Sequence, residues 1–141
     1  MRSSPSQHVA SSRRRGPAAL PWLLLALDGL LVVGFAALGN RSHESGLALA
    51  DVSGTAAPFL LGLLISSLAV RFWRHPSRLW PDAVLVILGT VALGMTARVF
   101  SGSGGAEWSF VLVALGVLSI LLIGRRMLSG WLLRLRSTQR G

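Results

Sequence analysis

Four apolar stretches, at about 18–39, 56–73, 82–100 and 108–124, alternate with short polar segments along a chain of 141 residues. Each approaches the roughly 20 residues that a helix rising 1.5 Å per residue needs to cross a ~30 Å hydrocarbon core. With 52% hydrophobic and 13% charged side chains, the chain has too little polar surface to wrap so much apolar length in a soluble fold. Inside a bilayer, backbone groups must find their partners within the segment, so these stretches predict helices. The expected fold is an all-α membrane protein with four transmembrane helices.

Local signals set the boundaries. Residues 1–17, rich in Ser, Arg and Pro, carry no hydrophobic period and read as a disordered basic tail. Residues 18–128 form the four-helix membrane domain, and 129–141 a second basic tail. Pro58 fits the first turn of the second span, where a missing N–H costs nothing. Pro81 precedes the third span, and Ser101 to Gly105 close it. The fourth begins near Trp108 and ends at Gly124, Arg125 and Arg126. Beyond it, Leu128, Trp131, Leu132 and Leu135 recur at helical spacing with Arg134 and Arg136 off the stripe. This segment is either an interfacial amphipathic helix or a continuation of the last span anchored by Trp131. A cleavable signal peptide competes for the first stretch, with Arg13 to Arg15 as its basic region and Ala37 to Gly39 near a cleavage site. The length of the run and Asp28 within it favour a retained span.

All 14 basic residues are arginine, and the net charge is +9. Four (Arg2, Arg13, Arg14, Arg15) precede the first span, three (Arg71, Arg74, Arg78) lie between the second and third, and five (Arg125, Arg126, Arg134, Arg136, Arg140) follow the fourth. Only Arg41 and Arg98 fall elsewhere. The excess on one side places both termini in the cytoplasm and the protein in the inner (cytoplasmic) membrane, with anionic headgroups as partners. Trp22, Trp73, Trp80 and Trp131 at that face, and Trp108 at the other, fit interfacial belts. Clustered arginine also suits nucleic acid, but here it flanks apolar spans and alternates with no stacking aromatics, so nucleic acid is not an expected partner. Lysine is absent while Arg, Ala, Leu and Gly abound, a bias that fits a GC-rich bacterial genome.

Asp28 is the one acid well inside a predicted span. A charged aspartate at mid-bilayer costs about 2.5–3.5 kcal/mol, so it should face the bundle interior and be paired or protonated. It either serves a function or fixes helix register, and the residues leave both open. Arg98 is its expected partner, leaning inward along the third helix; the alternative is that Arg98 snorkels to the outer headgroups. Thr90, Gly94 and Arg98 share one face, expected to meet the first helix, and Ser66, Ser67 and Ser119 could add hydroxyls to a polar pocket. The loop from Gly39 to Thr55 gathers Asn40, Arg41, His43, Glu44 and Asp51 as an outer candidate site. Its spacing matches no metal motif, and no metal or cofactor is expected. The candidate ligand- or proton-binding set is therefore Asp28, Arg98, Thr90, Arg41 and His43. No phosphate loop, nucleophile elbow or catalytic triad is present, which disfavours an enzyme.

The order of these features is informative: an aspartate in the first span, Gly39 with Arg41-Ser42-His43 after it, Ala57-Pro58-Phe59 with Gly62 in the second, and Gly94-Met95 before Arg98-Val99. It resembles the small bacterial and archaeal membrane proteins of the domain of unknown function 3054 family, over roughly Leu27 to Leu128. The resemblance implies a multi-pass membrane domain and stresses Asp28, Arg41, His43, Pro58 and Arg98, but brings no established activity. The favoured function is a non-catalytic helix-bundle module of the cytoplasmic membrane. The alternative is a small proton-coupled transporter using Asp28 as a homodimer, by architectural likeness to the small multidrug resistance antiporters.

Overall fold

A computed structural model describes residues 19–42, 48–102 and 107–138. The basic N-terminal tail, His43, Glu44 and the last three residues lie outside the described residues. Four α-helices account for most of the rest: α1 (Leu20–Ser42), α2 (Leu49–Ala69), α3 (Asp82–Phe100) and α4 (Trp108–Thr138). Each is long and apolar enough to cross a membrane, as in a multi-pass membrane protein.

Consecutive helices pack side by side, and α4 returns to α1, so the four close into a ring. The backbone of α1 runs beside α2 and α4 but not beside α3. The course is up-down-up-down. Near the start of α1, Trp22 meets Phe72 just past α2, with centroids 5.1 Å apart and rings nearly perpendicular. At the other end of α1, the Thr55 hydroxyl of α2 donates to the buried Asn40 Oδ1 at 2.8 Å. Buried Val32, Phe35, Phe59, Leu63, Val86, Leu118 and Leu122 fill the interior, while many large apolar side chains face outward, as lipid contact requires.

Close approach of α2 and α3 depends on glycine. A Cβ at Gly62 would lie 2.6 Å from the Thr90 carbonyl oxygen and 3.1 Å from the Gly94 nitrogen. One at Gly94 would lie 2.6 Å from the Phe59 ring. The face carrying Thr90 and Gly94 therefore meets α2, not α1 as its spacing led us to expect. Backbone nearness gained from small residues is the usual means of association between helices in lipid, where no hydrophobic force drives them together.

Two helices are longer than their apolar pattern implied. Helix α2 begins at Leu49, so Pro58 is buried in its interior and not in its first turn. Asp51, Ser53 and Thr55 disguise the start as loop, although Asp51 suits the first turn of a helix. A proline inside a membrane helix is tolerated where neighbouring groups accommodate the lost backbone bond. Helix α4 runs unbroken through Gly124 to Thr138, so the last span continues and no separate interfacial helix forms within the described residues.

Helix α2 stops in a Schellman arrangement. Phe72 N–H reaches the Ser67 carbonyl at 3.1 Å and Arg71 N–H the Leu68 carbonyl at 3.0 Å, with Arg71 in the left-handed region at φ 52°. This turns Phe72 inward against Trp22. The connection to α3 is then tied to α4 by a 3.0 Å hydrogen bond between the Ser77 and Ser129 hydroxyls.

Candidate functional site

The buried face of α1 carries Asp28, Val32, Phe35 and Ala36, and that of α4 carries Ala114, Leu118, Leu122, Arg125 and Arg126. Both series follow the three-and-four spacing of one helix face. Since α1 and α4 are antiparallel neighbours, their only ionisable core residues meet at one level. Asp28 is 2% exposed, Arg125 8% and Arg126 4%.

Arg125 grips Asp28 with two parallel bonds. Its Nε donates to Oδ1 at 2.7 Å and its Nη2 to Oδ2 at 2.6 Å. The planar guanidinium fork matches the carboxylate, the strongest geometry open to such a pair. Arg126 adds a second positive charge: its Nη2 lies 4.0 Å from the same Oδ2, too far for a hydrogen bond but close enough for attraction. Asp82, in the first turn of α3, faces Arg126 from longer range and is half-buried. The pairing offsets part of the cost of burying Asp28 and ties the first helix to the last.

Arg98 does not pair with Asp28. Its guanidinium carbon sits 4.8 Å from the centroid of Phe110, toward the opposite end of the bundle, in a cation–π contact. Phe110 belongs to a cluster with Phe35 and Phe59, at centroid separations of 5.7 to 6.1 Å. The cause is position: Arg98 stands in the last turn of α3, at the far end of the bundle from Asp28 near the start of α1, and the backbone of α3 borders α2 and α4 but not α1. Nor does Arg98 simply snorkel outward, because it is half-buried and its Nε and Nη1 are enclosed.

The remaining candidates are dispersed. Thr90 is fully buried at the α2–α3 contact. Arg41 is exposed in the last turn of α1, where a cation suits the helix C-terminus. His43 lies outside the described residues. Buried Ser66, Ser67 and Thr90 carry hydroxyls with no hydrogen-bond partner among the described residues, while Ser119 is half-buried on α4. Among the described residues no three of His, Cys, Asp and Glu come together to hold a metal ion.

Arg125 and Arg126 were the residues that sequence reasoning missed, because arginines after an apolar run read as headgroup contacts. Two signals identify them in retrospect. The helical pattern resumes beyond them with Met127, Leu128 and Trp131, and they extend the inward stripe of Ala114, Leu118 and Leu122 by one further turn.

A family model described as a protein of unknown function (DUF3054) matches residues 25–129. The chain belongs to this family. The DUF3054 match contains the whole Asp28–Arg125–Arg126 cluster together with Arg98, Phe110 and the Gly62–Gly94 contact, and it ends at Ser129, the residue that bonds Ser77. Most of the last three turns of α4 lie beyond it. No solved structure matches this DUF3054 protein.

Proposed function

We propose that this DUF3054 protein is a non-catalytic helix-bundle module of the cytoplasmic membrane, with the Asp28–Arg125 pair as the lock that joins its first and last helices. The arginine-rich end, where α1 and α3 begin and α2 and α4 end, faces the cytoplasm and anionic headgroups. Exposed Arg71, Arg74, Arg78, Arg134 and Arg136 all lie there.

One observation carries the reading: both carboxylate oxygens of Asp28 are held by a single buried guanidinium. An acid that exchanges protons for a transported cation must be free to lose and regain its charge in turn with substrate. A bidentate arginine occupies both carboxylate oxygens and leaves neither open to a transported cation. A structural lock needs only the geometry observed.

The test is proton flux into proteoliposomes loaded with a pH-sensitive dye, alongside thermal unfolding of the same preparations. Wild type and Asp28→Asn should both match protein-free vesicles in flux, and Asp28→Asn should unfold at lower temperature. Cation-dependent proton movement by wild type, abolished by Asp28→Asn, would replace the module with the dimeric proton-coupled transporter.

A further inference from the structure

The cluster at the α1–α4 contact holds two guanidiniums and one fully buried carboxylate, and the surplus cation is poorly satisfied. Arg125 spends Nε and Nη2 on Asp28, leaving Nη1 enclosed without an acceptor. Arg126 makes no hydrogen bond to Asp28, and its Nε and Nη1 are likewise enclosed without acceptors. A guanidinium cannot relieve this by shedding its proton. Burying a charge with unmade hydrogen bonds is among the most costly arrangements in a protein interior, and more so where lipid surrounds it.

We propose that Arg125 and Arg126 form a binding site for one anion of the phosphate class, supplied either as free phosphate or as the phosphodiester of an anionic lipid. Donor nitrogens on two adjacent guanidiniums suit an anion with several oxygens better than a spherical halide. Asp28 and half-buried Asp82 limit the positive field, which favours a singly charged form over a doubly charged one. Access comes from the arginine-rich end. Ser129 lies one turn beyond the pair, about 5 Å along α4, and joins Ser77 in a polar rim there. A headgroup phosphate at that rim has a single turn to travel.

The proposal is tested on delipidated full-length protein in neutral detergent. Thermal unfolding is followed by tryptophan fluorescence while phosphate is titrated into gluconate at constant ionic strength. Wild type should show a saturable rise in midpoint, since a ligand that binds only the folded state stabilises it by mass action. Arg126→Gln should weaken the apparent affinity by about tenfold or more, as losing a charged donor implies. Asp28→Asn should strengthen it, because removing the carboxylate frees the Arg125 fork and raises the local positive charge. This opposite sign separates a ligand site from a purely structural role. It also keeps the test decisive should Arg126→Gln fail to fold, in which case Arg126→Lys, retaining charge but losing Nε, should bind more weakly than wild type.

Native mass spectrometry of protein released from phosphatidylglycerol–phosphatidylcholine nanodiscs distinguishes the sources. A retained phosphatidylglycerol, lost in the Arg126 variants, assigns the site to lipid; phosphate saturation without retained lipid assigns it to the free ion. The proposal is overturned if wild type shows neither, if binding is equal in wild type and the Arg126 variants, or if folded Asp28→Asn binds no more tightly.

Discussion

Replacing Arg125 by Met preserves most of the side chain's length while removing both bonds to Asp28, and the structure sets the expected cost. Breaking a buried ion pair by deleting one partner costs about 3–5 kcal/mol, because the surviving charge is left uncompensated. Arg126, 4.0 Å from Oδ2, can close on the carboxylate and recover part of this. The expected loss is therefore at the lower end, about 3 kcal/mol, or roughly 150-fold in the unfolding equilibrium. Arg126→Met should be neutral or slightly stabilising, since it breaks an attraction and no hydrogen bond while removing a buried charge whose Nε and Nη1 have no acceptors. A double-mutant cycle with Asp28→Asn isolates the pair, and its coupling should exceed about 1.5 kcal/mol, against the ~0.6 kcal/mol average for hydrogen bonds between membrane helices. The assay is reversible unfolding in mixed micelles of mild and denaturing detergent, without phosphate, read by tryptophan fluorescence and far-UV circular dichroism. Arg136→Met, exposed in the last turn of α4, is the control and should leave the midpoint unchanged. Coupling no larger than that average would refute the claim that this pair locks α1 to α4.

Two further predictions address packing and orientation. Gly62→Ala and Gly94→Ala should each destabilise by about 1–3 kcal/mol in the same assay, as overpacking against backbone or a buried ring does, because their new Cβ atoms would meet Thr90 and Phe59. Gly116→Ala, with nothing within 4 Å of its Cβ, should be neutral or slightly stabilising. The chain has no cysteine, so Arg74→Cys and Glu107→Cys report sidedness without background. A membrane-impermeant maleimide should label Glu107→Cys in intact spheroplasts and Arg74→Cys only after lysis; the reverse pattern would invert the proposed orientation.

The four helices were legible because hydrophobic length along a chain is a local property, and lipid leaves helices as the means of satisfying the backbone. Helix ends were less legible wherever polarity and secondary structure diverge. Asp51, Ser53 and Thr55 read as loop yet form the first turns of α2, and Arg125 and Arg126 read as an end yet sit within α4. The error over Asp28 had a different origin. Depth along a helix follows from counting residues, but which helix stands beside which does not. Arg98 was assigned to Asp28 from depth and direction of lean, whereas the ring order gives α1 the neighbours α2 and α4.

The sequence by itself determined that this is an all-α chain with four membrane-length helices, that Asp28 faces the bundle interior either paired or protonated, and that the face of α3 with Thr90 and Gly94 suits a close helix contact. Each follows from composition, period or the cost of a charge in lipid, which nearby residues set. Only the tertiary structure decided that Arg125 is the partner of Asp28, that Arg126 joins it, and that Arg98 rests on Phe110. Those choices depend on helix order and register, which arise when residues 97 positions apart in the chain are brought face to face.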